Sequence, residues 1–290
     1  MLPGRRPARL NRWSGGAFLA AVFAWASPAE TWAQPLPAVS ASASPTYADL
    51  VGLTEASAVV AEVTVRDQAL IEAERAPGLA RGRARLYLET QTQRVLKGPS
   101  ALGESVSYLA DIPFDAKGRP PKLKKQTFLV FANPVVARPG ELQLVGPDAQ
   151  LPLDPVTEQR VRTVIGQLQA PSAAPRITAV RDVISVAGNL AGESETQMFV
   201  DTIGGAPVSL TVIRRPNMDP TWGVSWSEIV DQAAKPPERD TLGWYRLACF
   251  LPRKLPDRAF LQADTAGRQR AEADYHFILD QLGPCARTLH

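Results

Sequence analysis

Period-two alternation dominates the first half of the chain. The stretch RLYLETQTQRV, Arg85 to Val95, sets Leu86, Leu88, Thr90 and Thr92 against Tyr87, Glu89, Gln91 and Gln93, as a strand with one buried face requires. AVVAEVTV (Ala58 to Val65), SVSYLAD (Ser105 to Asp111), QTFLVFA (Gln126 to Ala132) and ELQLV (Glu141 to Val145) read as four more strands. Five short strands at this spacing predict a small β-barrel. Order is expected to begin near Tyr47. A helical period replaces the alternation after Asp154-Pro155, an N-cap followed by a proline at the first helical position, with Val156, Val161, Val164, Ile165 and Leu168 as its buried stripe. APSAAP, residues 170–175, then breaks the pattern as a linker.

Beyond the linker, RITAVRDVISVA (Arg176 to Ala187) predicts a strand pair or one bent strand. ETQMFVDTI and PVSLTVIRR flank Gly204-Gly205, a hairpin signal. With those glycines as a two-residue turn, Phe199 faces Leu210, Asp201 faces Val208 and Glu195 faces Arg214. TWGVSWSEIV (Thr221 to Val230) supplies another strand. Asp240 is expected to cap a helix that runs to Leu251 and stops at Pro252. A longer helix starts near Asp264, carries Ala271, Tyr275, Ile278 and Leu282 on one face, and ends at Gly283-Pro284. The fold class is therefore β-rich α+β: an OB-like barrel with a closing helix over residues 47–169, then an α+β domain over 176–290 with an antiparallel sheet and two C-terminal helices.

Charge at the N-terminus changes the setting. Arg5, Arg6, Arg9 and Arg12 precede an apolar run from Trp13 to Ala26, and Thr31-Trp32-Ala33 offers a small-residue cleavage site, the pattern of a secretory signal peptide over residues 1–33. The apolar run reaches only about 21 Å as a helix, short of the roughly 30 Å hydrocarbon core, so no integral membrane protein is expected. Pro7 after Arg5-Arg6 favours the general export route over the twin-arginine one. Residues 34–46 form a flexible lead-in. Cleavage near Ala33 takes 32 basic and 29 acidic residues to 28 and 28, so the formal net charge of +3 belongs to the leader and gives no reason to expect nucleic acid as a partner. One local exception is AKGRPPKLKK, residues 116–125, whose cations could meet anionic polymers or blunt a strand edge. A periplasmic or secreted location makes Cys249 and Cys285, the chain's two cysteines, a disulfide. Such a link would contribute about 3–4 kcal/mol through chain entropy. A metal site is not expected, since only His276 and His290 could supply nitrogen ligands.

The order of VVAEV (59–63), QRVLKG (93–98), GESVSYL (103–109) and KKQTFLVFA (124–132) resembles the strands of small secreted OB-like barrels of the netrin and metalloproteinase-inhibitor type. That resemblance implies the barrel alone, because the N-terminal cysteines of the family are absent and its inhibitory mechanism does not carry over. As a whole the chain resembles uncharacterised exported proteins of Gram-negative bacteria, which implies a compartment and no activity.

Candidate chemistry is sparse. There is no G-x-S-x-G elbow, phosphate-binding glycine loop or H-E-x-x-H, so hydrolysis, nucleotide chemistry and zinc proteolysis lack their usual anchors, and no catalytic residue, metal or cofactor is assigned. Glu193 and Glu195 would sit about 7 Å apart on one side of a strand, a separation glycosidases can use; an Arg214 partner would make Glu195 an ordinary surface ion. His276 and Asp280, four apart on a helix, could form a dyad but lack a nucleophile. Arg214 and Arg215, with Lys235 and Arg239, are candidates for an anion site, with plain solvation as the alternative reading. Trp244-Tyr245 is read as core. Trp222 and Trp226 share a strand face about 13 Å apart, where they could stack on sugars or be the inward row of the sheet. These features favour a non-catalytic binding protein whose partner is an envelope protein or glycan, with a glycan-directed hydrolase using Glu193, Glu195 or Asp201 as the alternative.

Overall fold

A computed structural model of the chain describes residues 44–99, 102–227, 234–262 and 264–289. The expected signal segment with Ala33, most of the expected lead-in, His290 and the Glu228–Val230 end of the expected strand lie outside the described residues. Five strands close a barrel: β1 (Val59–Leu70), β2 (Arg83–Lys97), β3 (Ser105–Pro113), β4 (Thr127–Pro134) and β5 (Glu141–Leu144). Their order is β1-β2-β3-β5-β4, and β4 pairs back onto β1 from Val59↔Ala132 to Thr64↔Thr127. A closed five-stranded barrel in this order is OB-like. Its interior follows the alternation: Val59, Ala61, Val63 and Val65 meet Leu86, Leu88, Tyr108, Val130 and Leu142, while Leu123 plugs one end. A short strand missed by the sequence pattern, β6 (Gln150–Pro152), follows a bend at residues 145–149 and continues along the same edge of β4 as β5.

The outer face of β1 and β4 is also buried. Val60, Leu129 and Phe131 are covered by α1 (Tyr47–Ala56) and α2 (Pro155–Gln169). Helix α1 is absent from the sequence-based expectation because Tyr47, Ala48, Asp49, Leu50, Val51 and Thr54 are buried around most of its circumference, leaving little amphipathic contrast to detect. Its capping box is readable afterwards: Thr46 accepts from the Asp49 N–H while Asp49 accepts from Thr46. In α2, Asp154 caps as expected, but Val156 is 68% exposed and falls off the buried stripe.

The second sheet orders β7 (Ile177–Ala187), β8 (Ser194–Thr202), β9 (Val208–Arg214) and β10 (Thr221–Ser225) as β10-β9-β8-β7. β7 is one strand bent by two register shifts. The β8–β9 hairpin departs from the expected register by one residue: Ser194 faces Arg214, Glu195 faces Ile213 and Phe199 faces Ser209. Both turn glycines have positive φ, but pairing stops at Val200↔Val208 and the intervening loop is longer than two residues. A one-residue shift moves Arg214 and Glu195 to opposite faces. Helix α3 (Leu242–Phe250) is capped by the Thr241 hydroxyl, not by Asp240, which adopts φ 58° just before it. Helix α4 (Thr265–Leu282) has the expected Asp264 cap and ends at Gly283.

One apolar core runs from the outside of the barrel through α1 and α2 to α3, α4 and the second sheet, across residues 170–175. The chain after α4 doubles back onto α1. Cys249 and Cys285 are bonded (Sγ–Sγ 2.05 Å), Arg287 donates to the Ala48 carbonyl and the Tyr245 hydroxyl, and Thr288 donates from its N–H and hydroxyl to Asp49.

Burial alone would raise the Asp49 carboxyl, but the N–H groups and hydroxyls of Thr288 and Thr46 hold it below its ordinary 3.8. A depressed carboxyl stabilises the fold above its unfolded pKa and loses that contribution as pH falls through the folded value. Asp49→Asn should cost about 1.5–3 kcal/mol at neutral pH, with the two proteins converging well below pH 3.8. Urea unfolding across pH checks this; a pH-independent difference contradicts it.

Candidate binding cleft

The two faces of the barrel differ in what covers them. β1 and β4 lie under helices, whereas the outer face of β2, β3 and β5 opens into a cavity of about 520 Å³, within the range of ligand sites. The opening has a backbone cause. β3 and β5 pair only at Ser107↔Glu141 and Tyr108↔Leu142, after which β5 stays with β4 as far as Ala132↔Leu144 while β3 runs on along β2 to Arg83↔Pro113. The seam therefore gapes between Leu109–Asp111 on one side and Gln143–Pro147 on the other.

Side chains furnish the gap with one aromatic ring, several apolar groups and two ion pairs. Tyr87 and Leu109 are cross-strand partners, and Leu109 is 48% exposed. Arg85 grips Asp111 with two bonds of 2.7 and 2.8 Å, which raises its guanidinium further above an already high pKa, and Arg138 pairs with Glu141 at 2.9 Å. Arg83 closes the far end, donating to the Asp111 carbonyl and to the Asp148 carboxylate, each at 3.0 Å. Inside the barrel wall, the Tyr108 hydroxyl donates to Gln150 at 2.7 Å and is pushed well up by burial. Since the cleft charges cancel in pairs, the cleft is suited to a neutral or zwitterionic ligand rather than a polyanion.

None of the residues singled out from the sequence lines this cleft. Trp222 is 6% exposed and Val224 7%, both in the core with Tyr275 and Ile278, so Trp222 belongs to the inward row and has no face to offer a sugar. Trp226 is half-buried and packs beside Gly243 and Pro237 at a separate cavity of about 300 Å³. Arg214 donates at 2.6 Å to the fully buried Asp274, which also accepts from Thr196, so its role is to pair a buried carboxylate under α4. Arg215 is exposed at the rim of another 300 Å³ cavity with Glu193 and Glu195. Arg239 stacks on Trp244, so it does not join Arg214, and Lys235 accepts from Val224 through its backbone carbonyl.

The proposed acids are engaged. Glu193 lies before β8 and accepts from the Asn189 and Leu190 N–H groups, Glu195 accepts from Gln197, and Asp201 lies 3.5 Å from Arg181. His276 and Asp280 are exposed on α4 beside the disulfide, and no hydrogen bond joins them among the described residues. Trp244 and Tyr245 are core, with the Trp244 indole N–H closing the end of α4 on the Leu282 carbonyl at 2.8 Å. The lysine-rich loop runs along the projecting end of β1, where Lys125 and Gln126 bond to Val65 and Lys124 lies 3.5 Å from Asp67. Among the described residues, no three His, Cys, Asp or Glu side chains converge as a metal site, and no helix is long and apolar enough to cross a membrane.

The cleft residues were missed because Tyr87 sits on the polar side of its strand, where alternation assigns it to solvent. An aromatic ring on that side, opposite an exposed leucine, was the available signal. Compared with known protein families and curated proteins, the chain matches neither a family nor a curated sequence.

Burial of Trp222 has a mechanical consequence. Trp222→Ala should lower stability by about 3–5 kcal/mol, read by urea unfolding, and a loss under about 1 kcal/mol would contradict its place in the core.

Proposed function

We propose that the protein is an exported, non-catalytic binding protein of the cell envelope and that the cleft between β3 and β5 is its binding site. The observation that carries this reading is an open, partly apolar cavity on a barrel face that α1 and α2 leave uncovered. It has concave shape, apolar lining and fixed polar groups, the usual features of a recognition site. The charges cancel within each of its two ion pairs, Arg85–Asp111 and Arg138–Glu141, which leaves neither carboxylate as a free base beside a nucleophile. The hydrolase alternative gains nothing from Glu193, Glu195 and Asp201, which hold a loop, a glutamine and an arginine. The N-terminal leader pattern and the disulfide support an oxidising compartment.

A photo-crosslinking residue at Tyr87, in the cleft, is expected to trap a partner in the native envelope, whereas the same probe at the exposed Glu272 of α4 should not. Equal adducts at both positions, or none at Tyr87, would overturn the assignment.

A further inference from the structure

The backbone of β3 points to the kind of ligand the cleft takes. Along this strand, alternate residues face opposite neighbours: Phe114 donates to Gly82 on the β2 side, while Ser107 donates to Gly140 on the β5 side. Residues 109 and 111 share the orientation of Ser107 and so present their N–H and C=O groups to β5. The ladder with β5 ends at Tyr108↔Leu142, which in parallel pairing uses the Leu109 N–H but not its carbonyl. The Asp111 carbonyl is taken by Arg83. That leaves the Leu109 carbonyl and the Asp111 N–H, an acceptor and a donor of one strand edge, facing the cavity beyond the end of the β3–β5 ladder. The exposed window spans about 10 Å of strand. It is bounded by the β3–β5 pairing at one end and by Arg83 at the other.

We infer that the cleft binds an extended segment of polypeptide, which adds as a short strand to the Leu109–Asp111 edge and sets apolar side chains against Tyr87, Leu109 and Leu144. Strand addition recognises backbone through main-chain bonds and selects sequence through pockets for alternate side chains. The lining fits on both counts. It offers paired charges that cancel, which favours a neutral main chain, and apolar groups on a free edge. A neutral glycan could fill the same volume and bond through its hydroxyls, but the N–H and C=O of a peptide unit match an acceptor and donor at strand spacing. This inference rests on the cleft being the binding site described above.

The test uses the full exported chain, panned against a library of random nonapeptides, with soluble peptidoglycan fragments as the second probe. Enriched peptides should carry apolar residues at alternate positions. N-methylation of the peptide at one alternating set of amides should weaken binding at least tenfold, and at the other set should have little effect. Leu109→Arg, which fills the cleft mouth, should also weaken binding at least tenfold. Failure to enrich any peptide, or enriched peptides indifferent both to N-methylation and to Leu109→Arg, overturns strand addition. If peptidoglycan fragments bind instead and lose affinity in Leu109→Arg, strand addition fails while the cleft assignment stands; if neither probe binds, both fail.

Discussion

A single buried guanidinium ties the molecule together. Arg246 of α3 is 4% exposed and donates from all three of its guanidinium nitrogens: two bonds of 3.0 and 2.6 Å to Glu55 at the end of α1, and one of 3.1 Å from Nε to the Ala174 carbonyl in the segment that joins the two halves. A buried ion pair contributes little net energy relative to an apolar pair of the same shape, yet losing one partner is costly because the other is left charged and desolvated. The geometry is therefore a constraint as much as a stabiliser. It fixes α1 to α3 and to the connecting segment, within the core that joins the barrel side to the second sheet. Lys97 makes a similar junction, donating to the Thr54 and Ser57 carbonyls at the C-terminal end of the same helix.

What the clamp fixes, the cleft inherits. With α1 held in place, α1 and α2 must cover β1 and β4, and the free barrel face is confined to β2, β3 and β5. The C-terminal segment strengthens the same helix from outside through Arg287, Thr288 and the Cys249–Cys285 bond. On the free face, β5 leaves β3 after Leu142 and stays with β4, while Arg83 and Tyr108 bridge the gap with side chains. The barrel is closed by pairing at one end of this seam and by side chains at the other, and between them lies an accessible strand edge.

Features set by local chemistry were legible in the sequence. The period-two stretches located all five barrel strands, Asp154 and Asp264 announced their helices, and Gly283-Pro284 marked the end of α4. Features set by distant partners were not. Helix α1 lacks a polar face because it lies between two packed layers, so its pattern resembles neither a surface helix nor a strand. Arg214 reads as a surface cation until Asp274, sixty residues away, is found buried beneath it. The β8–β9 register slipped by one because a glycine pair specifies that a turn occurs but not how many residues it takes, and that single step decided which face Arg214 and Glu195 occupy. The cleft was hidden for the same reason: it opens where the β3–β5 ladder ends after Tyr108↔Leu142, and a missing pairing leaves no trace in either strand's own pattern.

The central claim is that the barrel and the second sheet open as one cooperative structure through the shared core that Arg246 and Glu55 pin at its junction. Hydrogen exchange, read separately on barrel amides such as Val63 and Leu88 and on second-sheet amides such as Met198 and Leu210, tests it in three proteins: the wild type, Arg246→Met, and Arg246→Met with Glu55→Met. The account predicts that Arg246→Met lowers the opening free energy of both sets by about 3–5 kcal/mol and that the double variant recovers most of that loss. Barrel protection left unchanged while the second sheet alone loosens, or a loss below about 1 kcal/mol in both, would contradict it.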